Sequence, residues 1–252
     1  MSVLELQSDV IYGPIQSRRL GRSLGINLLP TTHKLCTFDC IYCQYGSAQM
    51  GSLAERETGF PSVDDVLRRI ETALRQQPAP DYLTFSGNGE PTLHPHFPEI
   101  VAEVRRARDT VCPDTRLAIL SNSSKVSHPD VRRALEQLDD PIMKLDVGDP
   151  ETLARVNRPV AGVTFEEIVA GLQAMPRLIV QTMIITGPVQ NVEGEAHEAW
   201  IRTLARLAPE RVQVYSTERP VAETGVRRVS KDKLERLARN AEQRTGISVT
   251  AY

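Results

Sequence analysis

Six short runs rich in apolar and β-branched residues alternate along the chain with longer stretches whose apolar residues recur at helical spacing. That alternation restricts the fold more than any other feature. Strands are predicted at residues 24–29, 82–86, 117–121, 142–147, 178–185 and 212–216. Helices are predicted at residues 63–76, 98–108, 129–138, 165–174, 197–207 and 231–244. In the first helix Val63, Val66, Leu67, Ile70, Ala73 and Leu74 form one stripe, with Ser62 placed to cap it and Pro78 beyond its end. Ser230 opens the last helix and Gly246 closes it.

A strand followed by a helix, repeated, implies parallel strands joined by right-handed crossovers. Six such units predict an α/β fold built as an open, partial (β/α)6 barrel rather than a closed eight-stranded one, with an extended doubly wound sheet as the other architecture. The chain reads as one domain, residues 1–252. It divides into an N-terminal extension (1–23), a β/α core (24–217), and a C-terminal helix and tail (218–252). In such folds chemistry sits at the carboxyl ends of the strands, so the loops starting near 30, 86, 121, 146, 185 and 216 are the ones to inspect.

Composition narrows the class. With 40% hydrophobic and 25% charged residues, the chain can bury a continuous core. The first residues carry acids and no basic stretch followed by an apolar one. No apolar run reaches about 18 residues, so a cytoplasmic protein without membrane spans is expected. A net charge of −2 gives no global case for nucleic-acid binding. Arg18, Arg19 and Arg22 form the one visible basic patch, which reads either as a solvated segment or as a phosphate or carboxylate site.

Three of the four cysteines fall within eight residues, immediately after the first predicted strand: Cys36, Cys40 and Cys43, spaced C-x3-C-x2-C. A tight cluster in a reducing compartment reads as metal binding rather than a disulfide framework. Three thiolates around an iron–sulfur cubane leave one iron without a protein ligand, open to an exogenous amine and carboxylate. The competing reading is structural zinc with His33 as fourth ligand. Zinc motifs usually pair two knuckles from separate segments, whereas here all three thiols share one loop. Cys112 follows a predicted helix one unit away and reads as a packing thiol.

With Tyr42 preceding Cys43, this motif resembles the hallmark of the radical S-adenosylmethionine (SAM) superfamily, whose core is a partial TIM-like barrel. The resemblance implies a [4Fe–4S] cluster on Cys36, Cys40 and Cys43 with SAM on the open iron. At the end of the second strand, Gly87, Asn88, Gly89 and Glu90 resemble the superfamily's glycine-rich SAM-binding stretch. Glycines there let backbone carbonyls approach the ligand, and an acid helps hold its amino group. Standing alone, the segment would read as a turn. Ser121 and Asn122 after the third strand, and Lys144 and Asp146 after the fourth, offer polar groups for the ribose and the methionyl carboxylate, although each type is also common at caps and turns.

More narrowly, segments 12–25, 144–149, 157–159 and 215–220 resemble small single-domain Fe–S oxidoreductases related to the wybutosine-synthesis branch. Members that form the tricyclic base carry a second cysteine set and a pyruvate-capturing lysine. Here one spare thiol, Cys112, cannot build a second cluster, so the substrate is not inherited from that branch. The resemblance implies a radical oxidoreductase or lyase-type enzyme supplied with electrons by a flavodoxin or ferredoxin. Arg18, Arg19, Asn157, Arg158, Gln181 and Arg219 are the substrate-facing candidates, and a small molecule, peptide or nucleotide would suit them. A base within tRNA is disfavoured by the acidic balance. Two other readings are an activase that installs a glycyl radical on a partner protein and, last, a zinc-stabilised module without catalysis.

Overall fold

The computed structural model describes residues 3–47, 59–76 and 78–252. In chain order it contains β1 (Ile11–Ser17), β2 (Gly21–Ile26), α1 (Val63–Gln76), β3 (Tyr82–Phe85), α2 (Phe97–Val111), β4 (Arg116–Ser121), α3 (Pro129–Leu135) and β5 (Asp140–Lys144). There follow α4 (Pro150–Val156), α5 (Phe165–Gln173), β6 (Ile179–Met183), β7 (Ile185–Thr186), α6 (Gly194–Leu207), β8 (Arg211–Tyr215), β9 (Arg227–Arg228), α7 (Lys231–Thr245) and β10 (Ser248–Ala251). All six predicted strands are present, parallel and adjacent in the order β2-β3-β4-β5-β6-β8, with β10 added parallel to β8 and β1 antiparallel to β2.

Several of the helices begin where a side chain satisfies an amide of the first turn. Ser62 Oγ accepts from Asp65 N at 3.1 Å, Thr164 Oγ1 from Glu167 N at 3.2 Å and Asp149 Oδ1 from Thr152 N at 2.7 Å. Period-2 alternation then sorts the strands' side chains between two faces. Leu83, Phe85, Leu117, Ile119, Met143, Val180, Val212 and Val214 pack outward under the helices in the main core. Ala118, Ile142 and Ile179 point the other way and, with Leu20 from the β1–β2 turn, form a separate apolar plug. Residues from the β1–β2 hairpin, β4, β5, β6 and β8, together with Tyr252, all line one cavity, so the sheet curls around it as an open barrel.

Three departures from the sequence expectation have physical reasons. Strand β1 was not anticipated because Gly13-Pro14 interrupts it. The strand survives as a sheet edge through a register shift between Tyr12 and Ile15, where proline's missing amide costs no ladder bond. The single strand expected at residues 178–185 breaks after Met183, and β7 turns away to pair with β9. The predicted C-terminal tail adds an edge strand, β10, which brings Tyr252 to the cavity. No described helix is long and apolar enough to cross a membrane.

At the amino ends of the strands Asp140, wholly buried, accepts from Tyr82 Oη at 2.7 Å, Arg116 Nε at 2.9 Å and Arg211 Nη2 at 2.5 Å. Burial alone would raise its pKa, but the hydrogen bonds from Arg116, Tyr82 and Arg211 outweigh it and hold the carboxyl below the usual range. A depressed folded pKa stabilises the fold above the unfolded value of about 4 and loses that contribution as pH falls through the folded value. Replacing Asp140 with Ala is expected to lower the unfolding free energy at pH 7 by about 2–4 kcal/mol, measured by urea titration, with the gap from wild type narrowing as pH drops below about 4.

Candidate functional site

The cysteine loop leaves the carboxyl end of β2 and is sewn down on three sides. Leu35 N donates to Asn88 O at 2.9 Å and Glu90 N to Leu35 O at 3.0 Å, a parallel bridge to the glycine-rich turn after β3. Asp39 N and Ile41 N donate to Arg158 O and Val156 O, and Val160 N returns a bond to Thr37 O at 2.9 Å. From the third side Ala222 N donates to Cys43 O at 3.0 Å and Glu223 N to Ile41 O at 3.1 Å. The first join depends on glycine. A Cβ at Gly89 would lie 1.7 Å from the Leu35 carbonyl oxygen, and the residue's φ of +146° is one that side chains rarely adopt.

Cys36, Cys40 and Cys43 are free thiols and all line the cavity, whose volume is about 560 Å³. Polar donors address two of the sulfurs: Asn122 Nδ2 lies 3.4 Å from Cys36 Sγ, and Asn157 Nδ2 3.3 Å from Cys40 Sγ. Burial pushes the Cys36 thiol up to about 12 and the Cys40 thiol up to about 11, so both hold their protons near neutral pH unless a metal displaces them. Lys34 sits beside them, nearly buried, and its Nζ donates to Gly46 O at 2.8 Å. Burial pulls its pKa down, but Cys43, Cys36 and Cys40 together hold it above the ordinary lysine value.

Beside Cys40, Tyr42 donates its hydroxyl to Asp146 Oδ2, which also accepts from Asn157 Nδ2 at 2.7 Å. Asp146 Oδ1 accepts from Met183 N at 2.8 Å and lies 3.7 Å from Lys144 Nζ. Burial again lowers the Lys144 pKa, but Asp146, Tyr215 and Cys40 reverse the balance and keep it an ammonium. Glu90, almost fully buried, accepts from Thr92 N and Oγ1, from Ser121 Oγ at 2.9 Å and from Asn122 N at 2.5 Å. Burial raises its pKa despite those bonds.

The cavity thus gathers most of the residues singled out from the sequence: the three cysteines, Tyr42, Gly87, Gly89, Glu90, Ser121, Asn122, Lys144, Arg18, Arg19, Gln181 and Arg219. Four stand behind its wall. The Asn88 side chain accepts from Gln7 N and donates to Gln7 O and Pro30 O, so it ties the N-terminal segment to the turn. Asp146 and Asn157 brace Tyr42 and Cys40 from outside, and Arg158 is paired with Glu223. Sequence reasoning overlooked Tyr12, Lys34, Ser86, Tyr215 and Tyr252, which also line the cavity. Tyr215 had a signal, as the next-to-last residue of a predicted strand; Tyr12 lies in an edge strand that the periodicity does not predict, and Tyr252 just beyond another.

The donor set distinguishes between the two metal readings. Among the described residues no group of three or more His, Cys, Asp or Glu side chains converges as a cage for one ion. His33 Nδ1 lies 3.1 Å from Thr32 Oγ1 and is not part of the cavity lining. Three thiols spread along one loop, with amide donors to sulfur and an open face, fit a cluster with a free corner better than four-coordinate zinc.

Comparison with known proteins agrees. The chain is 28% identical over 252 residues to a protein named GTPase Obg from Brachyspira hyodysenteriae, covering 97% of this chain and 35% of that one. It is 33% identical over 218 residues to a UPF0026 protein of Synechocystis, covering 83% of this chain and 76% of that one. The chain therefore spans only about a third of the first relative's length. The solved structure of TYW1 with a lysine-pyruvate adduct bound aligns over 88% of this chain and 73% of its own, with a TM-score of 0.60 at 15% identity, which is a likeness of fold. The Radical SAM superfamily matches residues 31–201, well over half the chain and inclusive of every cysteine of the loop. By that match, and by the three thiols facing one barrel cavity, the chain belongs to the radical SAM superfamily and uses a [4Fe–4S] cluster and SAM.

Proposed function

We propose that this chain cleaves SAM reductively and directs the resulting radical at a substrate held inside the barrel, with Cys36, Cys40 and Cys43 as the cluster ligands. The observation that carries the reading is the placement of three free thiols on one cavity, together with Lys34, Lys144 and Arg19. When bound, the cluster and SAM supply the electron and the 5′-deoxyadenosyl group for hydrogen abstraction. The chain's own residues position and insulate. Asn122 and Asn157 hydrogen-bond to ligand sulfurs and so adjust the electron density on them. Glu90 fixes Asn122 and Ser121 relative to the glycine-rich turn rather than reaching freely into the cavity. The backbone of Gly87 and Gly89, with the Ser121 hydroxyl, offers polar atoms at the rim for SAM.

Lys144 acts as a fixed positive charge, not as a nucleophilic amine, because Asp146 at 3.7 Å holds its proton. The curled sheet and the β1–β2 hairpin wall the cavity on several sides, and a reactive primary radical requires that water be excluded once substrate is bound. Electrons would come from a low-potential flavodoxin or ferredoxin. The substrate belongs to the same barrel.

Replacing Cys36, Cys40 or Cys43 with Ala is expected to abolish bound iron and sulfide after anaerobic reconstitution, and with them 5′-deoxyadenosine formation. Cys112→Ala, altered at the buried C-cap of α2, should retain both; loss of the cluster from that variant would overturn the ligand assignment. Lys34→Met removes a buried positive charge beside the thiols, so the cluster's midpoint potential, read by electron paramagnetic resonance in a redox titration, should fall by about 50 mV or more. An unchanged or raised potential would place that ammonium outside the cluster's electrostatic reach.

A further inference from the structure

The inner wall of the barrel is layered. Leu20, Ala118, Ile142 and Ile179 form an apolar plug toward the amino ends of the strands. One strand repeat above Ile179 and Arg211, the amides of Gln181 and Gln213 point into the lumen, and Arg19 enters between them from the β1–β2 turn. Arg19 Nη1 donates to Gln181 Oε1 at 3.0 Å and to Gln213 Oε1 at 3.3 Å. Its guanidinium carbon stacks 4.4 Å from the centroid of the Tyr215 ring. Tyr215 Oη in turn donates to Gln181 Oε1 at 3.3 Å and accepts from Lys144 Nζ at 3.4 Å.

Every one of these contacts to Arg19 is with a neutral group. The carboxylates that line the cavity are engaged elsewhere: Glu218 by Arg18 and Arg228, each at 2.8 Å, and Glu90 by Thr92, Ser121 and Asn122. Among the described residues no ion pair reaches Arg19. A guanidinium carries five N–H donors in a planar fork, and the glutamines use one nitrogen of it. Glutamine acceptors and an aromatic face orient the fork without cancelling its charge, which is how a carboxylate or phosphate site is built.

Depth separates this position from the SAM rim. Gln181 and Gln213 are the middle residues of β6 and β8, whereas the cysteines and the glycine-rich turn lie beyond the strands' carboxyl ends. Lys144 and Tyr215 stand between, with Lys144 Nζ 5.3 Å from the Tyr42 ring centroid. We propose that Arg19, cradled by Gln181, Gln213 and Tyr215, binds an oxyanion of the substrate and orients the rest of that molecule toward Tyr42 and the cysteines. This rests on the radical SAM reading above for its meaning, but not for its measurement.

The test is a calorimetric titration of the anaerobically reconstituted protein, with and without SAM, using succinate, inorganic phosphate and the neutral succinamide as probes. One of the two anions should bind and succinamide should not; the tighter anion tells carboxylate from phosphate recognition. Arg19→Gln should weaken that anion by roughly tenfold or more, Arg19→Lys by less, and Arg22→Gln, whose guanidinium is engaged by Pro78 O and Ala79 O, not at all. If Arg19→Gln does not fold, Arg19→Lys decides alone, because it keeps the charge and loses the fork. Absence of binding by either anion, equal affinity in the Arg19 variants, or an equal loss in Arg22→Gln would overturn the inference. A wild-type protein that takes up no iron and binds no SAM would instead defeat the superfamily reading, while the titration without SAM still reports on Arg19.

Discussion

The hydrogen bonds that join Leu35 to Asn88 and Glu90 hold the cysteine loop against the glycine-rich turn, and the rest of the site is arranged around that join. Two backbones approach there at a distance only glycine permits, since any side chain at Gly89 would occupy the Leu35 carbonyl. Once the join exists, its flanks follow. Glu90, the next residue, reaches Ser121 and Asn122 at the end of β4, and Asn122 reaches Cys36. The same short segment therefore couples three strand ends to one sulfur.

Charge is distributed in this site with evident asymmetry. Carboxylates stand behind the cavity wall or are saturated by donors, as Asp146 and Glu90 are, whereas ammonium and guanidinium groups face inward. Such an arrangement suits thiolates, sulfides and anionic ligands, whose negative charge would otherwise be gathered in a poorly solvated space. Lys34 and Lys144 supply positive charge inside the site: Asp146 holds Lys144 protonated against the pull of burial, and the loop thiols, once ionised, do the same for Lys34. At the far end of the strands Asp140 reverses the pattern: one buried acid gathers Arg116 and Arg211 and pins the strands' amino ends.

Much of this was legible in the order of residues. The β-then-helix period produced six parallel strands in the expected sequence, because each strand's apolar face had to be covered by the helix that follows. The cysteine spacing and the glycine-rich turn were visible because both are local: thiols within eight residues, and backbone conformation within four. What escaped was set by distance. Asn88 looked like a ligand-facing residue until the fold turned its side chain onto Gln7 and Pro30. Asn157 and Arg158 looked like substrate contacts, yet the chain folds back so that they brace the cysteine loop from behind.

By itself the sequence determined the class of fold, the loop that carries three thiols and the strand ends that border the cavity, since periodicity and motif spacing act over a few residues. Only the tertiary structure decided which polar side chains face the cavity. Arg19 meets Gln181 and Gln213 across 162 and 194 residues of chain, and such pairings arise from the curling of the sheet rather than from any local preference. The curl itself depends on side chains packing on both faces at once, and that is a property of the assembled layers.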